Sequence, residues 1–324
     1  MSEPLRVAVI GAGYFGRFHA KQYSLNPRAR LVAVVDLDQA KAQAVAAEFG
    51  AVEALTDYRA LIGRVDAVSI TTSTPLHFEV GMALLDAGIH ILVEKPITHS
   101  VETGLALTEL AERKGLVLQV GHIERFSSAF RTLAKQITRP LYIECYRIAP
   151  YKPRGTEVDV IHDVMIHDID IVMGLVSSKV RTVDAVGTPV ITQSADVANA
   201  RILFESGCVA TVTASRVSYK TERKMRVFQP NSYLSCDLGE GRMSGYSLIG
   251  DPAVMGAAAV ESKTYEIPKE DSLANEIAEF LDCVVTARKP TVDGRAGCEA
   301  LRVASLINES IAEHRRLAAG IIAG

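Results

Sequence analysis

Two short segments of this chain carry residue types suited to moving a proton while a carbon centre loses hydride. One is Glu94-Lys95-Pro96; the other is the dense run of acids and imidazoles from Asp159 to Asp170, Asp159-Val-Ile-His-Asp-Val-Met-Ile-His-Asp-Ile-Asp170. Dehydrogenating an alcohol requires a base for the hydroxyl proton, and a histidine or lysine beside an orienting acid meets that need. The second run sits in an otherwise apolar helical pattern. At about 100° per residue a regular helix puts Asp163, His167 and Asp170 on nearly one face and turns His162 away. Asp163 and His167 are therefore the candidate pair, open to three readings: a proton-transferring histidine with its carboxylate, metal ligands, or a hydrogen-bonded core histidine. The metal reading lacks the rest of a ligand set, and His162 and His167 cannot reach one ion from a regular helix, so no metal is expected. Lys95 follows a strand, at the edge where open α/β sheets bind ligands. Its competing reading is a surface lysine in a turn fixed by Pro96.

A third segment is made for phosphate. Val7-Ala8-Val9-Ile10 runs directly into Gly11-Ala12-Gly13-Tyr14-Phe15-Gly16 and then into a helical stretch, the strand-turn-helix setting that a dinucleotide fingerprint requires. Gly11 permits the tight turn, Gly13 lets backbone approach a pyrophosphate, and Gly16 allows the helix to pack on the sheet with its N-terminus toward the phosphates. Asp36 follows at the offset of about 20 residues at which a carboxylate accepts from the adenosine ribose hydroxyls. It would repel a 2′-phosphate, and no arginine is adjacent in sequence, so NAD is expected rather than NADP. His19, on the helix after the loop, reads equally as a packed, a solvent-facing or a functional histidine.

The elements that must position these residues follow from the apolar rhythm. Short β-branched runs at 6–10, 31–35, 67–71, 90–93 and 117–120 alternate with helical patterns such as 38–48 and 101–114. That is the rhythm of a doubly wound parallel sheet of the Rossmann type. After residue 121 it changes: a helix is expected over 127–136, a strand near 141–147 and a helix over about 160–175. Strands at 180–186, 195–204, 209–217, 224–228 and 232–237 follow, with turns such as Glu205-Ser206-Gly207. This predicts an α+β second domain with a large, open, mostly antiparallel sheet. Helices over 271–287 and 295–314 close the chain, able to pack back on the first domain. The expected domains are residues 1–121 and 122–324.

At 324 residues the chain exceeds what one core usually organises. A formal charge of −3 gives no electrostatic footprint for nucleic acid. No stretch is apolar for the length of a membrane span, and no secretory leader opens the chain, which makes the cytoplasm the expected compartment. Cys145, Cys208, Cys236, Cys283 and Cys298 are odd in number and include no C-x-x-C pair, which argues against a disulfide framework and a structural zinc.

Taken together, the glycine loop, Thr74-Pro75 with His77, Glu94-Lys95-Pro96 and the Asp163 to His167 helix resemble the glucose-fructose oxidoreductase, inositol dehydrogenase and rhizopine-catabolism (Gfo/Idh/MocA) family. Asn275-Glu276, Glu279-Phe280-Leu281, Lys289-Pro290 and Asp293-Gly294 extend the resemblance to the end of the chain. It implies an NAD-dependent dehydrogenase acting on a secondary hydroxyl of a sugar-type small molecule. Lys95 would lie near the nicotinamide and the reacting hydroxyl, and His167 would be the acid-base group. Asp163 would bind substrate or orient the reactive groups, and the Lys95-Pro96 bond would be cis. The cofactor would contact Gly11, Ala12, Gly13, Tyr14, Phe15, Gly16, Asp36, Thr71, Thr72, Ser73, Thr74, Pro75, His77, Glu94 and Lys95. A homodimer or homotetramer would form through the second-domain sheet. Val120-Gly-His-Ile-Glu-Arg-Phe126 is similar to members that oxidise the 3-hydroxyl of UDP-N-acetylglucosamine on the route to the 3-amino sugars of lipid A. His122, Arg125 and Tyr151 are then expected on the substrate, and Arg147, Tyr151, Lys152 and Arg154 form a cluster suited to a phosphorylated one or, equally, a solvated loop. Two other readings stand beside this: a dehydrogenase of a free polyol such as inositol, and a non-catalytic NAD-binding sensor or assembly partner.

Overall fold

The computed structural model describes residues 3–152 and 158–322, with side chains to residue 317. The chain divides into two compact units, Met1–Phe126 with Asp271–Glu299 and Ser127–Glu270 with Ala300–Gly324.

In the first unit β1 (Leu5–Ile10), β2 (Ala29–Val35), β3 (Glu53–Leu55), β4 (Ala67–Ile70), β5 (His90–Glu94) and β6 (Leu118–Gly121) pair in parallel, in the order β3-β2-β1-β4-β5-β6. Helices α1 (Tyr14–Leu25), α2 (Gln39–Phe49), α3 (Thr74–Asp86) and α4 (Val101–Lys114) make the crossovers. The strand order reverses between β1 and β4, and the crevice beyond the carboxyl ends at such a point is where open α/β sheets hold ligands. β4 is buried at all four positions, which is why it reads as an apolar run rather than an alternation. β3 is three half-buried residues, too short to leave a pattern.

The second unit starts with α5 (Ser128–Ala134) and builds a sheet from β7 (Tyr142–Ile148), β8 (Val180–Thr188), β9 (Val197–Phe204), β10 (Val209–Ser215), β11 (Glu222–Gln229), β12 (Ser232–Asp237), β13 (Arg242–Leu248) and β14 (Val260–Tyr265). Their order is β14-β13-β12-β11-β7-β10-β9-β8, antiparallel throughout except for the parallel β7/β10 pair. Inward residues Ile143, Ile202, Val212, Met225 and Leu234 pack with Ile161, Met165, Ile166 and Ile169. β13 and β14 lie outside the expected strands. β13 alternates through Ser and Gly rather than large apolar residues, and β14 is an exposed edge with no apolar face to read.

The helix expected over 160–175 is not regular. Ile161–Met165 forms a π turn, closed by the Ile166 amide donating to the Ile161 carbonyl five residues back, and α6 (Ile166–Leu175) follows. The angular sorting of a regular helix therefore does not hold across 161–165. After the short α7 (Pro252–Met255), the chain returns to the first unit as α8 (Ser272–Thr286). Asp271 caps α8, accepting from the Leu273 and Ala274 amides and from Gln22 Nε2 at 2.7 Å. Leu273, Ile277, Phe280 and Leu281 pack with Ala20, Tyr23, Val34 and Leu92. Ile123 packs on this core and Asn275 Nδ2 donates to the Phe126 carbonyl, so the boundary expected after residue 121 falls after Phe126. The last helix, α9 (Gly294–Ile322), contributes Gly294–Glu299 to the first unit and the rest to the second.

Candidate active site

The glycine loop leaves β1 and enters α1 at Gly13, with no side chain capping the helix. A helix start of this kind presents backbone N–H groups and the positive end of the helix dipole toward an anion. At Gly11 φ is +99°, and a Cβ there would sit 2.8 Å from the Thr71 backbone; at Gly16 it would sit 1.7 Å from the Gly11 carbonyl oxygen. At Gly13 a Cβ would meet nothing within 4 Å, so that glycine keeps open space rather than internal packing. Thr71 Oγ1 donates to the Ile10 and Gly11 carbonyls at 3.0 and 2.8 Å and pins the loop to β4. Asp36, just past β2, accepts the Ala12 amide at 2.7 Å and the Asp38 amide at 2.9 Å.

These residues border a cleft of about 430 Å³ lined by Gly11, Gly13, Asp36, Thr71, Thr72 and Ser73. A helix start without a side-chain cap, a loop with no room for a Cβ at Gly11 or Gly16 and an acid placed for ribose hydroxyls fit a dinucleotide. Sequence reasoning missed Thr56, Tyr58, Arg59, Leu76 and Glu79 on the same cleft. Arg59 lies over the Tyr58 ring at 4.7 Å and pairs with Glu79 at 3.3 Å and Asp57 at 3.5 Å. Although no arginine neighbours Asp36 in sequence, Arg59 lines the same cleft. The signal that could have found it is its position just after β3, at the same carboxyl edge.

Tyr14 and Phe15 are exposed at the start of α1, and Thr74 and Pro75 open α3. His77, expected on the cofactor, is 1% exposed, with Nδ1 3.0 Å from the Pro96 carbonyl and Nε2 3.0 Å from the Thr72 carbonyl. The ring lies between the Thr72 loop and the Pro96 turn and is not among the residues lining the cleft. Burial drives its pKa down against the opposing pull of the two carbonyls.

The Lys95-Pro96 bond is cis, as the resemblance implied. Lys95 is half-buried directly after β5. Glu94 Oε1 lies 3.0 Å from His19 Nε2, and the Lys95 amide donates to Oε2 at 3.3 Å. Burial pushes the Glu94 pKa up, but the hydrogen bond and charge of His19, together with Lys95, outweigh it and leave the carboxyl below its usual value.

In the second unit Asp163 lies in the π turn and His167 in the first turn of α6, both half-exposed. Asp170, expected on their face, is 1% exposed and belongs to the interior. His162 Nδ1 is 3.1 Å from Asp159, and Asn308 Nδ2 donates to the same carboxylate at 3.0 Å. Burial raises the Asp159 pKa, but His162 above all, with Asn308, overrides it and brings it to about 2. Among the described residues no group of three or more histidines, cysteines or acids is placed to hold a metal ion.

The basic cluster expected for a phosphorylated substrate does not stand as read. Arg147 is 6% exposed and grips Asp168 in a bidentate pair, Nε to Oδ2 at 3.0 Å and Nη2 to Oδ1 at 2.8 Å. Its strand neighbours Ile143 and Cys145 share that inward face. Tyr151 and Lys152 are exposed, and Arg154 lies outside the described residues. His122 is 1% exposed and offers no surface to a ligand as it stands, whereas Arg125 is half-exposed. All five cysteines are reduced and buried. Burial drives the Cys208 and Cys283 thiols up to about 11 and Cys236 to about 12, so these three are inert at neutral pH.

Comparison with known proteins agrees with this geometry. Residues 5–122 match the family model described as an oxidoreductase family with an NAD-binding Rossmann fold, and 139–231 match a GFO/IDH/MocA C-terminal domain. UDP-N-acetylglucosamine 3-dehydrogenase of Acidithiobacillus ferrooxidans is 38% identical over 308 residues, covering 95% of this chain and 97% of that protein. A solved structure of that enzyme superposes with a TM-score of 0.89 at 37% identity, covering 96% of this chain and 98% of the other. The scyllo-inositol 2-dehydrogenase (NAD(+)) of Bacillus subtilis is 29% identical over 311 residues and 90% of each chain. The chain belongs to the Gfo/Idh/MocA family of NAD-dependent sugar dehydrogenases.

Proposed function

We propose that this chain oxidises the 3-hydroxyl of UDP-N-acetylglucosamine to a ketone, with NAD+ reduced to NADH. The observation that carries the reading is the 38% identity along nearly the whole chain to an enzyme named for that reaction.

In this reading the amides at the start of α1 hold the pyrophosphate and Asp36 holds the adenosine ribose. A bound NAD+ would supply the acceptor for the hydride of the carbinol carbon. His167 takes the hydroxyl proton, so alcohol plus NAD+ gives ketone, NADH and a proton on the imidazole. Lys95, as an ammonium, stabilises the developing alkoxide. Asp163 orients His167 or binds a neighbouring hydroxyl. Arg125 and Tyr151 contact the substrate, and His122 backs that surface.

The 29% identity to an inositol dehydrogenase favours a second reading, in which the same groups act on a free polyol. The test is NADH formation from UDP-N-acetylglucosamine, N-acetylglucosamine and inositol side by side. Turnover of the nucleotide sugar alone supports the proposal, and turnover of inositol alone replaces it.

A homo-oligomer is part of the proposal. On the outer face of the second-unit sheet Tyr142, Phe228, Tyr233 and Tyr246 form a row, with ring centroids 5.5, 5.0 and 6.2 Å apart. Tyr246 is 53% exposed. An aromatic row of this kind suits burial against a second copy. Sedimentation should show a dimer or tetramer, and Tyr233→Lys with Tyr246→Lys should shift it toward monomer; a monomeric wild-type protein would contradict this part.

A further inference from the structure

Ser69 lies in the wholly buried strand β4 and Glu94 at the end of β5, so their polar atoms need partners inside the first unit. They find them on α1, where His19 and Tyr23 stand four residues apart on one face and are both fully buried. Tyr23 Oη is 2.7 Å from Ser69 Oγ, Ser69 Oγ is 3.0 Å from His19 Nδ1, and His19 Nε2 is 3.0 Å from Glu94 Oε1. Elementary hydrogen-bond rules give this chain a direction. An ionised carboxylate only accepts, so His19 carries a hydrogen on Nε2; in the tautomer with its one hydrogen there, Nδ1 accepts from the Ser69 hydroxyl, which accepts from Tyr23. Every donor points toward Glu94.

Space is kept for the carboxylate as well. Gly121 pairs with Glu94 across β5 and β6, and a Cβ there would lie 3.0 Å from Glu94 Oε2. The chain ends one residue before Lys95, whose amide it also engages. A network serving packing alone could end anywhere; this one ends at the carboxyl edge of the sheet, beside the group proposed to hold the alkoxide.

We infer that His19, acting through Glu94, is a positioning residue for Lys95: it keeps a carboxylate charge beside the lysine and so fixes the ammonium form and its orientation. The inference rests on the role proposed above for Lys95. Glu276 on α8, whose charge acts on Tyr23, and His77 on α3, on which the Glu94 charge acts, are further titratable groups facing the chain.

The test uses the whole protein, reductively methylated with 13C so that lysines report their own titration by NMR, with Lys95 assigned through Lys95→Arg. Glu94→Gln and His19→Phe should both make Lys95 titrate at lower pH, whereas His19→Gln, which keeps an N–H donor, should restore the wild-type midpoint. NADH binding and thermal melting establish that each variant is folded. With the sugar substrate, kcat of His19→Phe should fall about tenfold or more at neutral pH and recover as the pH rises and Glu94 ionises, while Glu94→Gln shows no such recovery. Identical Lys95 titration in folded wild type, Glu94→Gln and His19→Phe would overturn the inference. The lysine titration needs no substrate, so a wild-type protein that turns over no sugar would fail the proposed function and leave this test decisive.

Discussion

The Ala12 amide donates to Asp36 Oδ2 at 2.7 Å across 24 residues of sequence, which makes one carboxylate both a brace of the glycine loop and a wall of the dinucleotide cleft. Asp36→Ser removes both functions. A hydrogen bond to a charged group contributes about 1.5–3 kcal/mol, so KM for NAD+ should rise about tenfold or more with kcat little changed. Steady-state kinetics with varied NAD+ check this. An unchanged KM would place the ribose elsewhere.

Gly16→Ala should be far more damaging than its single methyl suggests. The new Cβ would lie 1.7 Å from the Gly11 carbonyl oxygen, and that atom is backbone, so α1 must move off the sheet. Loss of NADH binding is expected, with destabilisation of about 3 kcal/mol or more by urea denaturation. Gly13→Ala, with open space around it, should leave stability nearly intact and weaken NADH binding alone.

The Arg147–Asp168 pair has side chains 7% and 3% exposed, so breaking it strands a buried charge. Arg147→Ala should cost about 3–5 kcal/mol of stability, and Arg147→Met combined with Asp168→Leu should recover most of it. Denaturation midpoints measure both. If Arg147→Ala instead left stability unchanged and raised only the substrate KM, Arg147 would be a substrate ligand after all.

Asp159 ties pH to stability. Its pKa is about 2 in the folded chain against 3.8 for an ordinary aspartate, held there by His162 and Asn308 against burial. A depressed folded value means the stabilisation is fully present above about pH 4 and disappears as pH falls through 2. Wild type should exceed Asp159→Asn by about 2 kcal/mol near neutrality, the gap closing on acidification through that window. Denaturation at a series of pH values tests this; a gap that stays constant would show that the carboxylate charge is not what matters.

What the sequence reveals and what it hides divide along physical lines. β1, β4 and β5 read as strands because burial on both faces leaves unbroken apolar runs, and the glycine loop with Asp36 is a local pattern whose chemistry is set by backbone geometry. β13 and β14 left no signal because their exposed faces need no apolar residues. The π turn at Ile161–Met165 is invisible to a reading that assumes a regular period. Arg147 looked available because a charged residue on a strand is ordinarily exposed; its acid comes from α6, 21 residues on. His19 and Glu94 are 75 residues apart, and only the folded sheet makes them a pair.

Under the proposed function, hydride leaves carbon 3 of the sugar ring for the nicotinamide. UDP-N-acetylglucosamine carrying deuterium at that carbon, incubated with the protein and NAD+, tests it directly when the nucleotide product is weighed by mass spectrometry. Monodeuterated NADH is expected from wild type and none from Lys95→Ala or His167→Ala. NADH formed without deuterium would place the oxidation at another carbon, and full deuterium transfer by His167→Ala would remove His167 from the chemistry.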